Sequence, residues 1–209
     1  MFEFTHLLAY GLVVLALLVV PGPAVLLILT QSINGGRKVG LATSLGIAMG
    51  DCVHTIMAAS GLLTLLMTSA TAFSLIKYAG VVYLVYLGVH AWIAPPVSIE
   101  QLKVQPIEPQ RAFRQALLTE ILNPKTALFF LTFLPQFVRP TEGPVAIQLI
   151  ALGLIFVTLS ISYASVLALS AGSLGPWLAR HSGITRWQGK ITGLVYVGLG
   201  IRLVLQRRS

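Results

Sequence analysis

Charge is what this sequence has least of. Only 10% of its 209 residues are charged, against roughly 25% in an ordinary soluble domain, while 56% are hydrophobic and the mean hydropathy is +0.87. That balance excludes a soluble globular fold and points to an integral membrane protein. Cysteine is nearly absent too. The single Cys52 excludes an internal disulfide, a CxxC redox pair and a multi-thiolate metal site, and inside an apolar run it reads as a small buried residue. Acidic residues number 6 against 14 basic ones. The surplus does not form a basic stripe interleaved with aromatics, so nucleic acid is not the implied partner. HExxH and GxSxG are also missing, which leaves an intramembrane enzyme without its usual ligands or nucleophile and argues that the chain is not an enzyme. No positive n-region precedes the first apolar run, Leu7 to Thr30 is too long for a signal peptide's apolar h-region, and no convincing small-residue cleavage site interrupts it, so that run is expected to be a retained helix.

What is present is a series of apolar runs. A transmembrane helix needs about 20 mostly apolar residues, and the chain divides into six such spans, near 6–32, 40–66, 72–94, 115–138, 145–170 and 188–206. Between the third and fourth lies PPVSIEQLKVQPIEPQRA (95–112), with four prolines and alternating charge, which fits an extended linker. The expected fold is therefore all-α and integral to the membrane, a single transporter-like domain of six transmembrane helices. A first three-helix repeat covers 1–94, a cytoplasmic linker 95–114 and a second repeat 115–209. Three spans per half give the halves opposite topology. Loops one, three and five carry eight Lys and Arg residues and the opposite side five. The positive-inside rule then places those loops in the cytoplasm and both termini outside. Tyr83, Tyr86 and Trp92, near the end of the third span, suit an interfacial belt.

The two halves share a pattern. PGPAVLLILTQ (21–31) aligns with NPKTALFFLTF (123–133), matching Leu26, Leu29 and Thr30 to Leu128, Leu131 and Thr132. Each stretch begins with a proline break inside an apolar run. Proline donates no N–H and disfavours helix in the residue before it, so Pro21-Gly22-Pro23 and Asn123-Pro124 should interrupt their helices. Backbone groups freed at such breaks must face protein or water rather than lipid. Paired interruptions in inverted halves are a sequence pointer to a transporter's binding site, and the half-helix N-termini would suit a carboxylate. The alternative is a pair of packing kinks.

Asp51 and Lys125 are an acid and a base set at membrane depth. Asp51 follows Gly46-Ile47-Ala48-Met49-Gly50, a small-residue face that allows close helix approach, and its carboxylate should point into the bundle. Lys125 directly follows the second break and is the one mid-span basic residue available to Asp51. It could instead snorkel toward the interface, with Glu120 near enough to pair. His54 shares a helical face with Asp51, either as a proton relay or as a hydrogen-bonded core residue. Thr158, Ser162 and Ser165 form a polar stripe that suits helix packing better than substrate contact.

VVPGPAVLLILTQSINGGRKVGL, SLGIAMGD, LIKYAGVVYLVYLG and ILNPKTALFFLTFLPQF, taken together and in order over nearly the whole chain, resemble the LysE/RhtB family of amino-acid exporters. The resemblance implies six helices in the inner membrane and outward transport of amino acids or related metabolites. It carries importance to Pro21, Gly22, Pro23, Asp51, Asn123, Pro124 and Lys125. The expected mechanism is alternating access around a midplane site. The broken helices and Lys125 would meet the substrate's carboxylate, and Asp51 would hold the α-amino group or exchange a proton. The implied partners are a small amino acid, with neutral substrates favoured over dibasic ones, protons and the lipid bilayer. A homodimer is left open, and no cofactor or metal is called for. A divalent-cation exporter of related fold is the alternative, although one deep acid, one cysteine and scattered histidines make a poor ligand set.

Overall fold

The computed structural model describes residues 3–20, 22–62 and 105–180 as continuous stretches, the side chains of 62 and 172–180 excepted, with isolated helical positions among 75–93 and 190–201. Pro21 and Tyr83, most of the expected third and sixth spans, and linker residues 95–104 lie outside the described residues. The regular structure described is helical throughout.

Helix α1 runs Phe4–Val19 and stops where Val20 turns to extended geometry. Helix α2, Pro23–Met57, begins from an extended Gly22 with proline at its first position, where the missing N–H costs nothing. The expected break at 21–23 thus separates the two helices. Gly36 then takes φ 74°, a left-handed value that favours glycine, and the chain reverses. A straight helix would hold positions 32 and 40 about 12 Å apart. Here a Cβ on Gly40 would collide with the Ser32 hydroxyl, and Ile28 packs in one cluster with Ile47. The two arms of α2 are therefore a helical hairpin, continued by a π-helical turn at Ala58–Leu62.

Helix α3 spans Pro109–Ile121, earlier than the expected start near 115. Pro109 is a helix-opening residue here rather than linker. Glu108 is the extended cap and its carbonyl accepts from Ala112 N at 3.0 Å. After Asn123 the short helix α4, Pro124–Leu128, sets off at 42° to α3. It loosens into a π-helical turn (Phe129–Phe133) and 3-10 turns (Leu134–Phe137 and Pro140–Glu142). Helix α5, Val145–Arg180, runs on past the expected end near 170.

By length and hydropathy, Pro23–Gly61 and Val145–Ala171 can cross a membrane, and the bent pair Pro109–Ile121 with Pro124–Phe137 is a third span if read as one. The second arm of α2 lies against both of the others. A Cβ on Gly46 would sit 2.3 Å from Phe113 O, and one on Gly50 would sit 2.6 Å from Glu120 Cβ. The small-residue face ahead of Asp51 thus brings the arm close to α3, the two running parallel. On its other side Thr55 fits over Gly153 and Asp51 meets Ser160, so α5 runs antiparallel to it. An aromatic cluster of Tyr10, Phe129, Phe130, Phe133, Phe137 and Phe156 fills the space between α1, α5 and the chain after α4. Lipid is as apolar as these rings, so their gain is close packing and dispersion rather than escape from solvent. Outside the bundle, Leu154, Val166 and Leu169 of α5 are exposed, as a lipid-facing surface requires.

Candidate functional site

Both helix breaks converge on one place. Leu17 O would ordinarily accept from the N–H four residues on, but that residue is Pro21, which has none. The carbonyl takes a bond from Val20 N at 3.3 Å and a second, at 3.1 Å, from the Lys125 ammonium, which also donates to Val20 O at 3.0 Å. The second break repeats the arrangement with the halves exchanged. Glu120 O loses its partner to Pro124, accepts from Asn123 N at 3.0 Å and lies 2.9 Å from His54 Nε2. Each interruption is thus capped by a side chain from the other half of the molecule. His54 also stacks on Phe130, with ring centroids 5.7 Å apart. Its described contacts are a hydrogen bond to a backbone carbonyl and a stacked ring.

Lys125 is buried and does not snorkel. Nor does it pair directly with Asp51 or Glu120. Among the described residues the ion pairs are those of Arg139 with Glu142 (2.8 Å) and Glu3 (3.7 Å), in the turn before α5. The ammonium occupies the carbonyl end of α1, where the helix dipole is negative. Gly22 lies beside it, where a Cβ would reach van der Waals contact, 3.4 Å from Nζ.

Asn123 caps α4. Its Oδ1 accepts from Lys125 N and its Nδ2 donates to Glu120 Oε2, both at 3.1 Å. Glu120 Oε1 accepts from the Thr126 hydroxyl. Asp51 is 1% exposed. Its Oδ2 accepts from Ser160 Oγ at 2.6 Å, and its Oδ1 has no partner among the described residues. A small, partly open cavity of about 30 Å³ adjoins all of these groups, room for one or two waters and several times too small for an amino acid. Asp51, Glu120, Asn123, Lys125, Thr126 and Ser160 give it polar walls. Leu17, Ile28, Ile47 and Phe156 make the remainder apolar. Ala24 and Val25 also line it, at the α2 N-terminus, which has no side-chain cap.

The structure therefore brings together Asp51, Glu120, Asn123, Pro124, Lys125, Gly22, Pro23 and His54. Ser160 was not foreseen. The polar stripe read from α5 faces elsewhere, with Thr158 and Ser162 exposed and bonded to carbonyls of their own helix. The signal for Ser160 is its company. Gly153, Ala164, Ala168 and Ala171 share its helical face and mark the side on which α5 packs closely. Among the described residues no three His, Cys, Asp or Glu side chains gather as metal ligands would. Cys52 is only half-buried.

The LysE type translocator family model matches residues 15–207. The chain is 33% identical to an uncharacterized membrane protein of Bacillus subtilis, across 94% of this chain and 97% of that one. It is 31% identical to an uncharacterized membrane protein of Pseudomonas aeruginosa, across 95% and 94%. Its identity to a leucine efflux protein of Salmonella typhimurium is 29%, across 90% and 89%. No solved structure matches the chain.

Proposed function

We propose, from the premise that this chain belongs to the LysE type translocator family of membrane amino-acid exporters, that it carries neutral, aliphatic amino acids out across the cytoplasmic membrane in exchange for protons. The observation that carries this reading is the cavity at the meeting of the two breaks, with a buried acid on one wall and a buried ammonium on another. A zwitterion needs one partner of each sign. The uncapped N-terminus of α2, beside Lys125, suits the carboxylate, Asp51 suits the α-amino group, and Leu17, Ile28, Ile47 and Phe156 suit an apolar side chain. The leucine efflux relative favours the same substrate class.

The cavity is too small for an amino acid, so transport requires the halves to part first on one side and then on the other. Six spans in two inverted repeats, with loops one, three and five cytoplasmic, supply the symmetry for that motion. The directions of the described helices support it. The two arms of α2 are antiparallel, the second arm parallels α3, and α5 opposes both.

The test is Asp51→Asn in reconstituted vesicles, with leucine as substrate. If Asp51 carries the proton, gradient-driven accumulation is lost while leucine–leucine exchange survives. If it holds only the amino group, both fail together. Wild-type accumulation by the variant would remove Asp51 from the mechanism.

A further inference from the structure

A second, larger cavity lies beside the central one. It is an open cleft of about 450 Å³ between the first arm of α2 and α3, and its lining runs from Pro23, at the first break, to Gln31, short of the Gly36 reversal. Gln105 and Ile107, ahead of α3, add to its walls. Clefts of about 300–1,000 Å³ are the usual size of small-molecule sites. We propose that this cleft is a second amino-acid site, separate from the central cavity, in which the carboxamide of Gln31 meets one charged end of a zwitterion before the substrate moves inward.

Gln31 is 4% exposed. Its Nε2 donates to Gln115 Oε1 at 3.2 Å, and its Oε1 has no partner among the described residues. A buried polar atom without a hydrogen bond is costly, and a ligand that supplies the bond recovers that cost. An ammonium suits Oε1. A carboxamide turned over would instead offer Nε2 at that position, which suits a carboxylate. Both are ends of the same zwitterion.

The rest of the lining fits the same class of ligand. Thr30, Thr119 and Gln105 add hydroxyls and an amide, while Pro23, Leu26, Leu27 and Ile107 offer apolar surface to a side chain. None of the described residues lining the cleft is charged. A dibasic or acidic amino acid would bring a net charge with no counter-ion, whereas the two charges of a neutral amino acid offset each other. A lipid chain fits poorly, because hydrocarbon cannot hydrogen-bond the amides and hydroxyls.

The two cavities share a wall. On the first arm of α2, Ala24, Val25 and Ile28 line the central cavity and Leu26, Leu27 and Thr30 line the cleft. On α3, Glu120 belongs to the first and Thr119 to the second. The arm between them is bounded by the extended Gly22 and the left-handed Gly36. Its outer side offers neutral dipoles, and its inner side adjoins Asp51, Glu120 and Lys125. A substrate passing from one to the other gives up its water in two steps, first to amides and hydroxyls and then to fixed charges. The role as a loading site rests on the export reading, which puts loops one and three, and with them the Gln31 end of the cleft, in the cytoplasm.

The test uses the full-length protein in lipid nanodiscs, where an impermeant thiol reagent reaches both faces. In a Cys52→Ser background, Thr30→Cys places the only thiol of the chain on the cleft. Leucine should slow its modification, and lysine and glutamate at the same concentration should not. Protection should persist in Asp51→Asn, whose lesion lies in the central cavity. Gln31→Leu should raise the half-protecting leucine concentration roughly tenfold, and the near-isosteric Gln31→Glu, which adds a negative charge, should let lysine protect. The second site is overturned if leucine gives no protection, if protection vanishes in Asp51→Asn, or if all three amino acids protect equally. It is also overturned if Gln31→Leu leaves the half-protecting concentration unchanged, or if only a membrane-permeant reagent reaches the cysteine, which would give the cleft to lipid. Leucine transport in vesicles decides the export reading separately. Protection without transport keeps the site and removes its loading role, and transport without protection keeps the export reading and removes the site.

Discussion

Gly46 sits where the second arm of α2 comes nearest to α3, and replacing it with alanine tests whether that approach is as close as the structure has it. The new Cβ would be 2.3 Å from Phe113 O and 2.8 Å from Ala116 Cβ. Non-bonded heavy atoms rest at about 3.5 Å, so a backbone carbonyl would have to withdraw by roughly 1 Å. Overpacking of this kind costs about 1–3 kcal/mol. Alanine also favours helix over glycine by about 1 kcal/mol, which hides part of the loss. Gly11→Ala supplies the correction. Gly11 lies inside α1, and a Cβ there meets nothing described within 4 Å, so it gains the propensity without the clash. Thermal unfolding of both variants in detergent should place Gly11→Ala at or above wild type and Gly46→Ala below it. The gap between the two reports the overpacking alone. Equal midpoints would mean that α2 and α3 are not in backbone contact, and the wall of the cavity built on that contact would have to be redrawn.

The helix breaks and the topology are testable in the same protein. Pro124→Ala gives position 124 an N–H that can bond Glu120 O, which should displace His54 Nε2, reduce the 42° bend and slow leucine efflux. A normally expressed variant with wild-type efflux would demote the break to a packing kink. After Cys52→Ser, single cysteines at Arg37 and Gln105 should resist an impermeant thiol reagent added to intact cells while one at Thr141 reacts, and the reverse pattern would invert the orientation.

Much of this site was legible in the sequence because proline acts through covalent structure. A residue without an N–H frees a carbonyl one turn earlier wherever it stands past the first turn of a helix, so PGP and NP, inside apolar runs, announced their breaks before any tertiary contact was known. The glycines ahead of Asp51 were equally direct, since only small side chains let two backbones approach. The partners were not legible. Lys125 is a long side chain whose ammonium can reach several groups, and one-dimensional spacing did not separate a carboxylate from the carbonyls of a helix more than 100 residues away. Ser160 was missed for a related reason. Helical periodicity groups residues by face but does not say which face turns inward, and the more regular polar stripe, Thr158 to Ser165, turned out to be the wrong one. The early start of α3 was hidden by the prolines near it. Proline opens a helix as readily as it interrupts one, and composition alone does not tell the two uses apart.

The exchange of caps between the two halves has a consequence for how the site opens. Any movement that separates the halves takes Lys125 from the carbonyls of α1 or His54 from the carbonyl of Glu120. A buried polar group left without a partner costs about 1–3 kcal/mol, and water in the opening gap is the most available replacement. Parting of the halves and wetting of the gap therefore proceed together, each favouring the other. A half-open, dry intermediate carries the full penalty. The two prolines that interrupt the helices thus tie any parting of the halves at this point to the entry of water.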